Sequence, residues 1–183
     1  MSLPRRIAGN IALDLANTVS WRGTDREIDH LTSAEDIVVW AKDAGLVARS
    51  YDAVASERGV LVHRTHALRL AIGEVGAAIA QGREPPVSGL QVIRDFAANA
   101  LRSAAISGAP AIFDFEGIDQ IVGAIAWAAL DLFRGDELSR LKQCPPDDCQ
   151  WLFIDRTKNL SRRWCDMATC GNRAKKHAHR HGA

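Results

Sequence analysis

The sequence predicts a mainly α protein, in which a helical N-terminal domain with one candidate β-hairpin precedes a small C-terminal module built on four cysteines. Three observations lead there. Through residues 1–143, apolar side chains recur at intervals of three, four and seven, the spacing that lines one face of a helix. All four cysteines lie in residues 144–183, where Cys144, Cys149, Cys165 and Cys170 read C-x4-C, fifteen residues, C-x4-C. Charge divides at the same place. Residues 1–143 carry 15 Lys and Arg against 18 Asp and Glu, whereas residues 144–183 carry 8 against 4. The chain therefore divides into a helical domain over 1–143 and a metal-binding module over 144–183. At 183 residues and 47% apolar content it has material for a packed core.

Taken in order, IALDLANTV opens the helical domain. Ile11, Leu15 and Val19 recur every four residues between Ile7 and Trp21, as in a short amphipathic helix or a helix followed by a turn. Asp14, Asn17 and Thr18 are polar groups inside this apolar run, so they are either a hydrogen-bonded network that fixes the first helix or, with Trp21 and Arg22, the wall of a ligand pocket. Trp21 to Leu31 reads as a charged loop. Thr32 and Glu35 form a candidate capping box, and Ile37, Trp40, Ala41 and Ala44 share a face before Gly45.

Asp52 is the expected N-cap of the longest helix, in which Val54, Leu61, Leu68 and Val75 recur every seven residues until Gly82, Pro85 and Pro86 stop it. Gly59, Gly73 and Gly76 each weaken it by about 1 kcal/mol relative to Ala, so packing must compensate or the helix must break. His63 and His66 read as ordinary, partly exposed side chains. A third helix spans Val87 to Arg102, with Leu90, Ile93, Ala97 and Leu101 inward. Ser103 to Glu116 changes period around Gly108-Ala109-Pro110, as in a β-hairpin or an irregular loop. Ile118, Ile121, Val122, Ile125, Ala129, Leu132 and Phe133 then follow at helical spacing to Gly135. The uncharged run Ile121 to Leu130 is too short to cross a bilayer, and no membrane partner is expected.

The tail carries the chemistry. Two short cysteine pairs around a connector suit a tetrahedral ion without ligand-field preference, each pair supplying one edge, and zinc is the expected metal. Disulfides or free thiols are the alternatives. Asn10, Asp14 and Asn17 interrupt the apolar core that a signal peptide needs, so a reducing, cytoplasmic compartment is expected, where paired cysteines favour metal over bridges. Trp151 to Ile154 suits a short strand that covers the metal and docks on the helical domain. Arg156, Lys158, Arg162 and Arg163 on the connector, and Arg173, Lys175, Lys176 and Arg180 on a terminal helix, are candidate contacts to nucleic-acid phosphates. Arg173, Lys176 and Arg180 share one helix face. Four sulfur ligands leave zinc no open position, and neither a phosphate loop nor a nucleophile–base pair is evident, so no enzymatic activity is expected.

Residues 144–180, which include the stretch CQWLFIDRTKNLSRRWCDMATCGNRAKKHA, closely resemble the CGNR-type zinc finger. The part upstream of it, with IALDLANTV near its start and a helical middle, resembles the ABATE domain of bacterial proteins classed as predicted stress-induced transcription regulators. The resemblance implies a mainly helical domain, structural zinc on Cys144, Cys149, Cys165 and Cys170, and a DNA-binding role for the finger. A small-molecule effector and a homodimer are further expectations for such a regulator. The alternative function is a sensing or protein-interaction module in which zinc is purely structural. Gly171, Asn172 and Arg173 either contact DNA or support the metal, the glycine by close approach, the asparagine by bonding the turn and the arginine by donating to thiolates.

Overall fold

The computed structural model of the chain describes residues 3–146 and 148–181, with side chains as far as Lys176. Helix α1 (Ile11–Ala16) is shorter than the periodicity suggests and is buried along nearly its whole length, against α3 and α5. Asn10 caps it, accepting from the Ala12 N–H at 2.9 Å, and it stops at Asn17. The segment read as a loop holds a short antiparallel pair, β1 (Val19–Ser20) with β2 (Ile28–Asp29).

Helix α2 (Ala34–Asp43) has its capping box one residue later than expected. Ser33 Oγ accepts from the Asp36 N–H at 3.1 Å, and Asp36 Oδ2 accepts from the Ser33 N–H at 2.9 Å. Thr32, the expected cap, also donates to Asp36 through its hydroxyl, so a single carboxylate collects donors from both Thr32 and Ser33.

Helix α3 (Arg58–Ala80) starts beside Gly59 after a 3₁₀ turn at Ala55–Glu57. Asp52 does not cap it. That carboxylate lies 3.5 Å from the Arg58 guanidinium instead, and Val54 is 62% exposed, so the apolar heptad begins at Leu61. Helix α4 (Val87–Ser103) meets α3 and α5 along Gly89, Ile93, Ala97 and Ala100, a stripe of mostly small residues that lets helices approach closely. Leu90 and Leu101, expected to point inward, are left at the rim, exposed and half-buried respectively. The hairpin is present as β3 (Ala105–Ser107) and β4 (Ile112–Asp114), with Phe113 edge-on to Trp127 at 4.8 Å. Helix α5 (Val122–Arg134) buries the stripe read from the sequence, with Phe133 half-buried beside it. Among the described residues, no helix is long and apolar enough to cross a membrane.

Strands β5 (Leu141–Gln143) and β6 (Leu152–Ile154) pair antiparallel and lead into helix α6 (Asn172–His181). Side chains alternate across β6. Leu152 and Ile154 join the helical core, and Phe153 between them faces the cysteines. Gly76 of α3 makes room for this strand, since a Cβ there would sit 2.6 Å from Leu152 Cδ1. The helical cost of that glycine is offset by contact with the C-terminal module.

The polar groups near α1 are satisfied inside the fold. Thr18 Oγ1 donates to the Leu15 carbonyl at 2.7 Å and accepts from Arg69 at 3.2 Å, and Arg69 grips Asp29 through two bonds of 2.6 Å. Burial pushes the Asp29 carboxyl up, but hydrogen bonds from Arg69 and the Leu31 N–H outweigh it and hold the group below its ordinary value. Its stabilising contribution is therefore complete above the ordinary pKa of about 3.9 and is lost as pH falls through the lower folded value. Asp29→Ala strands the buried Arg69 charge. Because the Asp29 side chain is 31% exposed, the expected loss at pH 7 is roughly 2 kcal/mol, less than for a fully buried pair. Urea unfolding checks this, and the gap between the two proteins should narrow below about pH 3.9.

Candidate metal centre

The β5–β6 hairpin places the first cysteine pair. Cys144 follows β5 and extends the ladder, its N–H donating to the Trp151 carbonyl at 2.8 Å. Cys149 donates to the Pro146 carbonyl at 2.9 Å, and Gln150, in the left-handed region at φ 56°, turns the chain back into β6. The second pair is placed by the connector and by a π-helical turn at Met167–Gly171, whose N-cap Asp166 accepts from the Ala168 N–H at 2.8 Å.

The four sulfurs lie within 4.8 Å of one another, and all four residues are buried. Cys149 and Cys165 are separated by 3.6 Å, and Cys165 and Cys170 by 3.5 Å. Disulfide sulfurs stand about 2.05 Å apart, whereas zinc–sulfur bonds of about 2.3 Å set the edges of a tetrahedron near 3.8 Å. The 3.5 and 3.6 Å separations are far too long for a disulfide and lie close to the edge of such a tetrahedron. Such crowding also cannot accommodate four free thiolates. Contact with Cys144 and Cys170 pushes the Cys149 thiol up against the opposing effect of Cys165, and contact with all three other sulfurs pushes the Cys165 thiol up, while Cys170 is held low, by Cys144 first and lastly by the charge of Arg173. A divalent cation removes that conflict, and a soft, closed, four-sulfur set holds structural zinc.

The residues after Cys170 support the metal. Gly171 is buried, and a Cβ on it would approach Met167 Sδ to 2.4 Å and Trp164 Cδ1 to 3.1 Å. Asn172 Nδ2 donates to the Ala168 carbonyl at 3.1 Å. Arg173 donates to Cys170 Sγ at 3.5 Å and to Asp148 at 2.9 Å, with its guanidinium 4.7 Å from the Trp21 ring centre. A thiolate held by an arginine keeps its orientation toward the metal.

Two residues that the sequence reading passed over organise the connector. Asp155, completely buried, accepts from Lys142 Nζ (2.6 Å), the Thr157 hydroxyl (2.6 Å), the Thr157 N–H (3.0 Å) and the Arg162 N–H (2.9 Å). Desolvation pushes this carboxyl up, but Lys142 and Thr157 outweigh it and hold the group well below the carboxylate range. An aspartate immediately after the apolar run WLFI was the available signal, since a buried charge there must collect partners. Lys142 had no local signal.

Of the eight candidate phosphate contacts, three are engaged elsewhere. Arg156 makes a two-pronged pair with Glu137 at 2.9 Å, and Arg173 is held as described. Arg162 donates to the carbonyls of Trp164, Ile154, Ile7 and Cys165 and stacks 4.3 Å from the Phe153 ring centre, a buttress rather than a free cation. Lys158, Arg163, Lys175 and Lys176 are exposed. The side chain of Arg180 lies outside the described residues.

The five candidate pocket residues do not converge. Asn17 and Arg22 border a cleft of about 140 Å³, and Trp21 borders a different one. Asp14 accepts from the Ala8 N–H at 2.9 Å, and burial raises its carboxyl above the ordinary range. Asn17 has a structural partner 135 positions away. Its Nδ2 donates to the Leu152 carbonyl at 2.8 Å, and the Leu152 N–H donates to its Oδ1 at 2.9 Å, so the side chain acts as one residue of a strand on the free edge of β6. The Ile154 N–H donates to the Ala8 carbonyl at 2.8 Å along the same edge, and the Trp151 indole donates to the Val19 carbonyl at 3.0 Å.

Asn17→Ala strands both Leu152 backbone groups, each costing about 1–3 kcal/mol when buried and unsatisfied. Zinc affinity, read by competition with a chromogenic chelator, should fall at least tenfold if about 1.4 kcal/mol of that loss reaches the metal site, with the far-UV helical signal retained. Unchanged affinity would show that the finger does not depend on this contact.

No curated protein matches the chain. A family model for the CGNR zinc finger matches residues 140–182, the part that holds all four sulfurs. The model named ABATE, described as “Putative stress-induced transcription regulator”, matches residues 9–136. That match spans more than two thirds of the chain, which therefore belongs to the ABATE family and carries a CGNR zinc finger at its C-terminal end.

Proposed function

We propose that the chain is a zinc-dependent, DNA-binding transcription regulator that meets the duplex through phosphates, using the connector and α6. One observation carries this reading. Sorting the cations beyond Cys144 by their partners leaves Lys158, Arg163, Lys175 and Lys176 exposed on the finger, without an ion pair among the described residues. Lys175 and Lys176 border a cleft of about 420 Å³ with Thr169 and Asn172 at the start of α6. A hydroxyl beside two ammonium groups offers donors that phosphate oxygens accept. The remainder of the molecule is acidic, so the polyanion is steered to this end.

Zinc in this reading holds the start of α6 against the hairpin and touches no DNA itself. The contribution of the finger is affinity and placement, since the exposed set is dominated by lysine, which serves as a point charge and reads bases poorly.

Fluorescence anisotropy with a random-sequence duplex at graded salt tests the reading. With four phosphates neutralised, the slope of log affinity against log salt should be about −3.6. Lys175→Ala with Lys176→Ala should reduce its magnitude by about 1.8, while Arg156→Ala should leave it unchanged, because that side chain is held by Glu137. Zinc-loaded protein that fails to bind duplex at low salt would overturn the proposal.

A further inference from the structure

We infer that the four-cysteine centre is also an oxidative modification site, open to hydroperoxides through a pocket between Trp21 and Trp151. Cys149, Cys165 and Cys170 line a pocket of about 220 Å³ opposite Trp21, Trp151 and Thr169. Cys144 is not on its wall and borders a different cleft, so the pocket lies beside the sulfur tetrahedron and leads to it from outside. Its volume is that of about seven water molecules at ~30 Å³ each, ample for a peroxide.

The mouth of the pocket is built at some cost. Trp21 sits in the left-handed region at φ 56°, an outlier for a bulky side chain, with its ring 4.3 Å from the Arg26 guanidinium and 4.7 Å from that of Arg173. The indole is thereby held at the boundary between the N-terminal domain and the finger, where it forms a wall of the pocket without filling it.

Zinc-bound cysteines are thiolates at neutral pH, and oxidation follows thiolate character and access. Cys149 is the most exposed of the four at 8%, and its sulfur stands 3.6 Å from that of Cys165. The Cys149 thiolate attacks the terminal, hydroxyl oxygen of the hydroperoxide and breaks the O–O bond. It becomes a sulfenic acid, and the other oxygen leaves as an alcohol, or water, after taking one proton from solvent. The Cys165 thiolate then attacks the Cys149 sulfur, and the hydroxyl leaves as water with a second proton. Two thiolates have each lost one electron to the peroxide, and one disulfide joins the two halves of the finger. Only Cys144 and Cys170 remain to hold the metal, too few to retain zinc. Helix α6, which begins two residues after Cys170, then loses its anchor. The inference does not depend on what α6 binds.

The test uses full-length, zinc-loaded protein treated with hydrogen peroxide in the presence of a chromogenic zinc chelator, followed by alkylation and peptide mass mapping. Release of the zinc together with a Cys149–Cys165 disulfide, reversed by a dithiol and fresh zinc, is the expected result. Thr169→Trp, which fills the pocket from its exposed rim, should slow release roughly fivefold, and Trp21→Gly, which removes one wall and suits the left-handed backbone, should speed it by a similar factor. Retention of zinc in large molar excess of peroxide, or a disulfide that includes Cys144, overturns the inference. So do equal release rates in the wild type and the variants. If Thr169→Trp fails to load zinc, Trp21→Gly decides alone, through the rate of Cys149–Cys165 disulfide formation and the release in excess of that seen with chelator but no peroxide, since Trp21 also supports Arg173.

Discussion

A three-residue strand with no solvent-facing side is the constraint on which the rest of the molecule depends. Strand β6 buries Leu152 and Ile154 in the helical core and Phe153 among the zinc cysteines, and neither of its edges is free. Strand β5 pairs with one edge, while the Asn17 side chain and the Ala8 carbonyl pair with the other. Backbone polar groups buried without partners cost more than a typical hydrogen bond contributes. The first helix must therefore end where Asn17 can reach Leu152, and Asp14 must hold the Ala8 segment in place. Two of the polar interruptions in IALDLANTV, Asn17 directly and Asp14 through the Ala8 segment, complete a strand in the other part of the chain.

This arrangement decides what kind of unit the finger is. A forty-residue module around one ion has little core of its own, and here Leu152 and Ile154 are taken into the core of the helical domain. Metal binding, folding of the hairpin and docking on α1 and α3 are linked equilibria. By reciprocity, a change that loosens the docking weakens the metal site, and loss of the metal weakens the docking by the same free energy. The coupling has named carriers in Asn17, in the Trp151–Val19 hydrogen bond and in Arg173, which binds Cys170 and stacks on Trp21.

Much of this was legible in the sequence because the signals were local. The spacing of the cysteines identifies a metal site without reference to the rest of the fold, and the apolar stripe of α5 needs only its own periodicity. The reading failed where a position answers to a distant partner. Val54 continues a heptad in sequence but lies beyond the start of α3, and Leu90 gives way to Gly89 because the seam with α3 requires a small residue. Asn17 could be recognised as polar in an apolar run, but nothing nearby names Leu152. Arg162 and Arg156 look like nucleic-acid contacts by composition. Whether a cation faces solvent or a carbonyl depends on how the connector folds, which is set by Asp155 and by Lys142 on the neighbouring strand.

The same sorting shows where the finger uses the geometry of arginine. A guanidinium offers several donors in a fixed plane and stacks on aromatic rings, so it suits positions that must satisfy several acceptors at once. Arg162 does this over Phe153, and Arg173 does it between Asp148, Cys170 and Trp21. Arg156 meets both oxygens of Glu137. A lysine at any of these positions could neutralise charge but could not reproduce the geometry. Two of the exposed cations, Lys175 and Lys176, lie on the first turns of α6, where a flexible point charge is sufficient. The cations of the tail thus separate into a set held by protein groups, with Arg162 and Arg173 beside the zinc centre and Arg156 on Glu137, and an exposed set in Lys158, Arg163, Lys175 and Lys176.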